Sequence, residues 1–375
     1  MPPKRPLRRV TVFGAGSWGT AFAKVLADGG AEVTIWARRP EIAREIRETH
    51  RNTQYLRGIN LPRTITATSS LRDSLRGAEQ LYLAVPSQTL RDNLNALKPM
   101  LPAGIPVVSL MKGIEKASNA RMSEVIADVL ELDEERIAVA SGPNLALEIA
   151  KEQPTAAVVS SVSLETAQAV AMAATNRYFR SFVNTDVVGT EFGGVLKNLI
   201  AVAIGIVDGV GYGENTKASI ITRGLVEMTD FAVAHGGHPD TLSGLAGLGD
   251  LIATCQSPLS RNNTAGRLLG QGYALHEVVR QMDQTAEGLA SVAPILSLAR
   301  ARGVAMPIVE QVHQVLAGTL KPQDIAPHLT TDETPTGERT TDDHEARTGS
   351  ALRRALKRAF GVGGDGGRGP GGARP

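Results

Sequence analysis

The residues with the clearest chemical use stand near the start of the chain, where three glycines follow a short apolar run. Gly14, Gly16 and Gly19 form the spacing G-x-G-x-x-G directly after residues 10–13 and at the opening of a helical pattern. In this context the first glycine permits a tight turn, the second lets a pyrophosphate approach the backbone, and the third lets helix and strand pack closely. Phosphates then lie at a helix N-terminus, where free amides favour negative charge. The spacing predicts a dinucleotide site.

The second predicted strand ends without the acidic residue that an NAD-selective site carries for the ribose hydroxyl. Arg38 and Arg39 stand there instead. No carboxylate would repel a 2′-phosphate, and two guanidinium groups can hold one through charge-assisted hydrogen bonds. The sequence therefore predicts that NADPH is accepted as well as NADH, with two solvated loop arginines as the alternative interpretation.

Four further segments carry polar side chains at places where ligands are commonly bound. Two follow predicted strands, and ligands of open α/β sheets collect at such carboxyl ends. The third puts a lysine and an asparagine on an otherwise apolar helix, and the fourth leads from a glycine-rich run to a helix start. They are Ser109-Leu-Met-Lys112-Gly-Ile, Ser141-Gly142-Pro143-Asn144-Leu-Ala146, Gly193-Gly194-Val-Leu-Lys197-Asn198, and Gly247-Leu-Gly249-Asp250 running on to Ser260-Arg261-Asn262-Asn263.

The pattern of apolar residues predicts the scaffold that must position these side chains. Short β-branched runs alternate with helical spacing up to residue 188, which indicates a parallel sheet covered by helices. Helical spacing alone continues over 189–330, and the composition of 331–375 is typical of disorder. We therefore predict an α/β domain at 9–188, an all-α domain at 189–330 and a disordered tail. Strands are predicted at 10–13, 32–36, 81–85, 106–110, 137–140, 156–160 and 181–183.

Composition and charge exclude several classes of protein. A net charge of +2 is too small to argue by itself for nucleic acid or an anionic membrane surface, because such partners usually leave a concentrated basic footprint, and we expect no nucleic-acid partner. The single cysteine, Cys255, excludes an internal disulfide and a cysteine-clustered zinc site, and no metal site is predicted. The basic N-terminus lacks a signal-peptide core, and no stretch approaches the roughly 18 uninterrupted apolar residues of a membrane span. We expect a cytoplasmic protein without integral membrane association.

Taken together and in order, the motifs resemble those of bacterial-type NAD(P)-dependent glycerol-3-phosphate dehydrogenases over about residues 9–328. The resemblance rests on the glycine fingerprint with Trp18, then Lys-Gly-Ile, Ser-Gly-Pro, Leu-Lys-Asn, Gly-Leu-Gly-Asp-Leu and Ser-Arg-Asn. It implies a Rossmann-type domain, an all-α domain, and a cleft for nicotinamide and triose phosphate. The implied activity is reduction of dihydroxyacetone phosphate to sn-glycerol 3-phosphate with NADPH or NADH, for glycerophospholipid synthesis. The oligomeric state stays open, with a homodimer as one alternative.

Carried over residue by residue, the resemblance makes Lys197 the catalytic acid/base. A nearby ammonium suits ketone reduction because it stabilises the developing oxyanion and then donates a proton. Asn144 departs from the serine or threonine usual at its position, although an amide can still donate a hydrogen bond. The implied substrate contacts are Lys112, Gly142, Asn144, Lys197, Asp250, Ser260, Arg261 and Asn262. The implied cofactor contacts are Gly14, Gly16, Ser17, Trp18, Gly19, Arg38, Arg39, Lys112, Ala146, Arg261 and Glu287.

Plainer interpretations stand beside these roles. Lys197 could be a surface lysine, Ser260 an ordinary helix cap, and Asp250 a turn residue. The alternative activity is that of the β-hydroxyacid dehydrogenases, which share the two-domain plan but bind a carboxylate. A nucleotide-sensing DNA-binding regulator would need a recognition element, and the nearest candidate is the basic amphipathic stretch at 351–360, for which a solvated tail helix is the simpler interpretation.

Overall fold

The first half of the chain builds one sheet whose strands are short and mostly buried. The structure, a computed structural model, describes residues 8–282 and 286–325. Within them the sheet has eight strands in the order β3-β2-β1-β4-β5-β6-β7-β8. The strands are β1 (Arg9–Phe13), β2 (Glu32–Trp36), β3 (Ile65–Thr68), β4 (Gln80–Leu83), β5 (Val107–Ser109), β6 (Ile137–Ser141), β7 (Thr155–Ser160) and β8 (Phe179–Asn184).

Helices cover both faces of the sheet. Successive side chains of a strand point to opposite faces, and accordingly Tyr82 packs into one apolar core while Leu81 and Leu83 pack into another. The helices of this half are α1 (Ser17–Asp28), α2 (Pro40–Thr49), α3 (Leu71–Ser74), α4 (Leu90–Leu97), α5 (Met122–Leu130), α6 (Ala146–Ala150) and α7 (Leu164–Ala174). The predicted α/β fold class is confirmed.

Two details of the sheet differ from the prediction. The sheet is not parallel throughout, because β7 pairs antiparallel with β6 and β8 follows β7. The five residues of α6 span only about 7.5 Å, too short to carry the chain back along the sheet for a parallel strand. Strand β3 was missed because it is an edge strand with alternating exposure, so no continuous apolar run marks it.

The second half is helical, as predicted, and is organised around one long helix. Helix α8 (Val187–Val210) is apolar and long enough to cross a membrane, but 83% of its most apolar window is buried inside the protein. It is therefore a core helix. The remaining helices are α9 (Glu214–Ala234), α10 (Pro239–Ser243), α11 (Asp250–Gln256), α12 (Arg261–Gly270), α13 (Leu275–Gln281), α14 (Glu287–Arg302) and α15 (Pro307–Ala317).

Helices α8 and α12 approach each other backbone to backbone. Gly205 and Gly209 on α8 face Gly266 and Gly270 on α12, each pair spaced by four residues. A Cβ added to any of the four would lie 2.1–2.2 Å from a backbone oxygen of the opposite helix. Since residues four apart share one helix face, the glycines form a continuous contact that sets the start of α12 relative to α8.

The predicted disordered tail at 331–375, including the basic stretch at 351–360, lies outside the described residues. The predicted boundary between residues 188 and 189 falls within the first turn of α8.

Candidate active site

In the glycine turn between β1 and α1, the space beside Gly16 is open, whereas backbone atoms fill the space beside Gly14 and Gly19. Gly14 has φ +125°, and a Cβ there would lie 2.4 Å from the Ala84 carbonyl oxygen. A Cβ on Gly19 would lie 2.1 Å from the Gly14 oxygen. At Gly16, by contrast, an added Cβ meets nothing within 4 Å. The free amides at the start of α1 therefore face space that an anion can enter, and a dinucleotide pyrophosphate fits there.

Residues from the loop after α2 hold this turn, and no motif in the sequence indicated them. Asn52 donates from Nδ2 to the Ala15 carbonyl (2.9 Å) and to Thr20 Oγ1 (2.8 Å), and Ser17 Oγ donates to the Tyr55 carbonyl (2.7 Å). Asn52 is 37 residues from Ala15 in the sequence, so no local pattern links them.

Two other predicted cofactor residues lie beside the turn. Trp18 Nε1 donates to the Leu110 carbonyl oxygen at 3.1 Å, which ties the start of α1 to the end of β5. Trp18 and Ala146 pack against the same small apolar cluster, built on Ala21, Leu56 and Ala150. The fingerprint helix and the start of α6 are thus neighbours.

Arg38 and Arg39 differ in their surroundings although they are adjacent. Arg38 is exposed, whereas Arg39 is half-buried at the N-cap of α2. The Arg39 guanidinium donates to Gln54 Oε1 (2.7 Å) and to the Tyr55 hydroxyl (3.0 Å), and lies 5.5 Å from the Tyr55 ring centroid. Its polar partners are therefore chiefly neutral, although Glu41 lies 3.7 Å away.

A buried cluster of two lysines and one aspartate lies where the sheet meets α8 and α11. Lys112 Nζ lies 2.5 Å from Asp250 Oδ2, and Lys197 Nζ lies 3.0 Å from Asp250 Oδ1. Only 2% of the Asp250 side chain and 9% of the Lys197 side chain are exposed. The surface interpretation of Lys197 is therefore wrong, and Asp250 is the first residue of α11 and not a turn residue.

Thr254, which the sequence analysis did not single out, completes this cluster. Lys197 Nζ donates to Thr254 Oγ1 at 2.6 Å, and the Thr254 hydroxyl donates to Asp250 Oδ1 at 3.3 Å. Thr254 lies one helical turn after Asp250, so both face the same side of α11. Recognising the segment as a helix would have shown this spacing.

The surroundings of Lys112 change its pKa. Burial lowers the pKa of Lys112 to about 8, and Lys197 contributes in the same direction, while Asp250 and Glu287 oppose the shift. The cluster holds two cations against one anion, so an anionic ligand or a developing oxyanion would be stabilised beside it.

The loop after β6 adds polar atoms that lack partners. Gly142, at φ +130°, accepts a hydrogen bond from Lys112 Nζ at 2.9 Å through its carbonyl oxygen. Asn144 Oδ1 and Nδ2 and Ser141 Oγ are buried, and among the described residues none of these atoms has a hydrogen-bond partner. Because an unpaired buried polar group costs about 1–3 kcal/mol, these atoms would gain from hydrogen bonds to a ligand.

The start of α12 gathers the remaining predicted residues. Ser260 Oγ accepts from the Asn263 amide at 3.2 Å, so Ser260 does cap the helix. Asn262 Oδ1 accepts from the Gly288 amide at 3.0 Å, which joins α12 to the start of α14. Burial raises the pKa of Glu287, while the charges of Arg261, Lys197 and Lys112 lower it.

The structure thus brings some of the predicted residues into one cluster and leaves others apart from it. Lys112, Gly142, Lys197 and Asp250 touch directly, and the charge of Glu287 couples them to Arg261. Arg38 and Arg39 stand after β2, and in the described part of the chain Arg39 instead contacts Gln54, Tyr55 and Glu41. Within the described ranges no group of three or more His, Cys, Asp or Glu side chains could hold a metal ion.

Comparison with known proteins identifies relatives of this arrangement. Sequence models described as the N-terminus and the C-terminus of NAD-dependent glycerol-3-phosphate dehydrogenase match residues 9–167 and 186–327. Glycerol-3-phosphate dehydrogenase (NAD(P)+) from Leifsonia xyli subsp. xyli is 73% identical over 93% of this chain and 96% of its own length. The Streptomyces griseus enzyme of the same name is 54% identical over 82% of this chain and 92% of its own length. A crystal structure of glycerol-3-phosphate dehydrogenase from Coxiella burnetii is 35% identical, with a TM-score of 0.81, and the match covers 86% of this chain and 99% of that one.

Proposed function

The chain belongs to the NAD-dependent glycerol-3-phosphate dehydrogenase family, and from that premise we propose that it interconverts dihydroxyacetone phosphate and sn-glycerol 3-phosphate with NADPH or NADH. The observation that carries the proposal is the buried cluster in which Lys112 and Lys197 share Asp250. A carbonyl oxygen placed there would meet a proton donor as negative charge develops on it.

Residues of the β1–α1 turn would hold the dinucleotide. The open position at Gly16 and the start of α1 suit the pyrophosphate. Ser17, Trp18, Ala146 and Glu287 would line the rest of the cofactor, and Arg38 and Arg39 would face the adenosine ribose. When bound, the dihydronicotinamide supplies a hydride to the carbonyl carbon of the substrate.

Lys197 would protonate the reacting oxygen. An ammonium has three N–H donors, and the described residues provide Lys197 with two acceptors, Thr254 Oγ1 and Asp250 Oδ1. The third donor remains for the substrate oxygen, which takes the proton as the carbonyl becomes an alcohol. Asp250 orients Lys197 for this step and is the counter-charge of its ammonium until the proton leaves.

Lys112 and the start of α12 would bind the rest of the substrate. The amides at the N-terminus of α12, with Arg261, Ser260 and Asn262, offer donors and positive charge to a phosphate. Asn144 and Gly142 would contact the glycerol hydroxyls, and the unpaired amide atoms of Asn144 support this role.

Further assignments follow as part of the same proposal. The family match favours a phosphate substrate over the carboxylate of the β-hydroxyacid alternative. Residues 9–188 would form the dinucleotide-binding domain and 189–330 the substrate domain. The enzyme would act in the cytoplasm, supply glycerophospholipid synthesis and assemble as a homodimer.

Oxidation of NADPH and of NADH by the purified full chain, with dihydroxyacetone phosphate as oxidant, tests the activity. Dihydroxyacetone and a 2-oxo carboxylate of similar size are the matched substrates. Turnover with the phosphorylated ketone and little with the other two is expected. Faster turnover of the carboxylate would overturn the proposal in favour of a β-hydroxyacid dehydrogenase.

A further inference from the structure

Residues 112–121 lie in the connection between β5 and α5 and carry Lys112 at one end and Arg121 at the other. Ile114 pairs with Arg121 as an antiparallel bridge, which closes the segment into a hairpin. Ile114 is fully buried and belongs to the core formed by α8 and the helices around it. The hairpin therefore leaves the sheet at Lys112 and inserts into the helical half two residues later.

A buried carboxylate on α8 holds the far end of this hairpin. Glu191, whose side chain is 3% exposed, accepts from Arg121 Nη1 at 2.7 Å, from the Ser123 amide at 2.9 Å and from Ser123 Oγ at 2.5 Å. Ser123 lies in the first turn of α5, where backbone amides lack helical partners and negative charge is favoured. A side chain of α8 thus accepts a hydrogen bond from a free backbone amide at the start of α5, a helix of the sheet half.

Glu191 and Lys197 stand on the same helix, six residues or about 9 Å apart along its axis. Between them lies Gly194, where a Cβ would come within 3.3 Å of Lys112 Cγ. Through Glu191 and Gly194, one face of α8 therefore touches this segment near both of its ends.

We propose that Glu191 is a positioning residue for the reaction: by fixing Arg121 and Ser123 on α8, it sets where Lys112 stands relative to Asp250 and Lys197. The inference rests on the proposed function for its kinetic consequence. It adds a residue that touches neither substrate nor cofactor in that proposal and acts through the hairpin.

The test is Glu191→Gln in the full chain, assayed with NADPH and dihydroxyacetone phosphate. Both Glu191 oxygens accept hydrogen bonds from Arg121 or Ser123. Replacing one oxygen by an amide nitrogen sets a donor against a donor, so the hairpin should shift. Displacing a catalytic constellation by about 1 Å can cost on the order of 100-fold, and we expect kcat/KM for the substrate to fall about 10- to 100-fold while KM for NADPH stays within about twofold.

Glu227→Gln is the matched control, because Glu227 is also a buried glutamate that caps a helix from another element. Its Oε1 accepts from the Ile308 amide at 2.8 Å at the start of α15, and it has no recorded contact with the hairpin. Glutamine keeps this acceptor and replaces only Oε2, which has no hydrogen-bond partner among the described residues, so kcat/KM should stay unchanged there. Equal kinetic losses in Glu191→Gln and Glu227→Gln would overturn the proposal by showing a general structural effect.

Two further arms separate this inference from the proposed activity. In a Lys112→Met background, Glu191→Gln should cost little more, since its effect passes through Lys112; full additivity contradicts the proposal.

Independently of turnover, reductive methylation of Lys112, followed by mass spectrometry, should become faster in Glu191→Gln and stay unchanged in Glu227→Gln. An unchanged methylation rate in Glu191→Gln contradicts the positioning role even if the enzyme has another substrate.

If the Glu191→Gln chain does not fold, Ser123→Ala replaces it, because this change removes one of the three hydrogen bonds and leaves the carboxylate paired with Arg121. The same two readouts should move in the same direction by a smaller factor. No change in either readout would count against the proposal.

Discussion

Two pairs of cations serve the proposed site in opposite environments. Lys112 and Lys197 are largely buried and share Asp250, and the charge of Lys197 acts on Lys112. Arg38 is exposed, and Arg39 rests mainly on neutral groups of Gln54 and Tyr55. Coulomb interactions are strong where water is excluded and are screened by salt where it is not. The lysines should therefore behave as one unit, and the arginines as separable, salt-sensitive contacts.

The largest effect should come from removing one buried cation. Lys197→Met is expected to lower kcat by about 10²- to 10⁴-fold, the usual contribution of a positioned acid or base, while the Kd of NADPH stays nearly unchanged. Asp250 keeps Lys112 as a partner, so the fold should persist. Steady-state kinetics and cofactor titration measure this, with Lys98→Met, a lysine in a surface ion pair, as control. Near-native turnover by Lys197→Met would remove it from the chemistry.

Removing the shared anion tests whether the lysines form a unit. Asp250→Asn removes the carboxylate that both ammonium groups touch, and breaking a buried pair in this way costs about 3–5 kcal/mol. Asp208→Asn, which breaks a more exposed pair with Lys217, should cost about 1 kcal/mol or less. Denaturant unfolding of both variants measures the difference. Similar losses in the two variants would contradict the distinction between buried and exposed pairs.

Arg261 combines features of the lysine pair and of the Arg38–Arg39 pair, since it is exposed to solvent yet its charge acts on the buried Glu287. Arg261→Ala should raise KM for dihydroxyacetone phosphate and also weaken NADPH binding. Solvent screening places the loss at about 1.5 kcal/mol, the lower end for a charge-assisted hydrogen bond, or roughly tenfold. Arg267→Ala, an exposed arginine on the same helix, is the control. Unchanged constants for both ligands would place the phosphate elsewhere.

The pH dependence of kcat/KM should reflect the titration of Lys112. Its pKa of about 8 means that the ammonium facing Asp250, Lys197 and Glu287 is lost above that pH, so kcat/KM should fall there by up to about tenfold per pH unit. Lys112→Arg keeps its charge and should show no such fall. Folded Lys112 binds fewer protons than the unfolded chain between about pH 8 and 10.5, so this group makes stability rise with pH in that window. An identical fall in Lys112→Arg would assign the profile to another group.

The smallest effect concerns the exposed pair. Replacing Arg38 and Arg39 together by alanine should raise KM for NADPH several-fold and leave KM for NADH almost unchanged, because only NADPH has the 2′-phosphate. Added salt should weaken NADPH binding to the wild type more than to the double variant. The pair Arg44→Ala with Arg47→Ala, exposed on α2, matches the change in net charge. Equal weakening of both cofactors would make Arg38 and Arg39 structural or general phosphate contacts.

Prediction from sequence succeeded where the signal was local. The glycine turn, seven of the eight strands and the change to helices after residue 187 follow from spacings of a few residues. It failed where neighbours in space decide: β3 is an edge strand whose polar face hides it, and the direction of β7 depends on how far α6 can carry the chain. Tyr55 and Asn52 escaped notice because their roles lie in contacts to the glycine turn.

The chain itself therefore determines which segments are strands, where the phosphate-binding turn lies and which motifs resemble the family's. Only the tertiary structure decides that Lys112 and Asp250, 138 residues apart, form an ion pair, and that Glu191 reaches across to α5. The physical reason is that helix and strand signals come from interactions within one or two turns, whereas the ionic cluster exists only after α8 and α11 pack against the end of the sheet and exclude water. The glycines on α8 and α12 show the same division. Their four-residue spacing is visible in the sequence, but only the tertiary structure shows that the backbone of the opposite helix fills the space beside them.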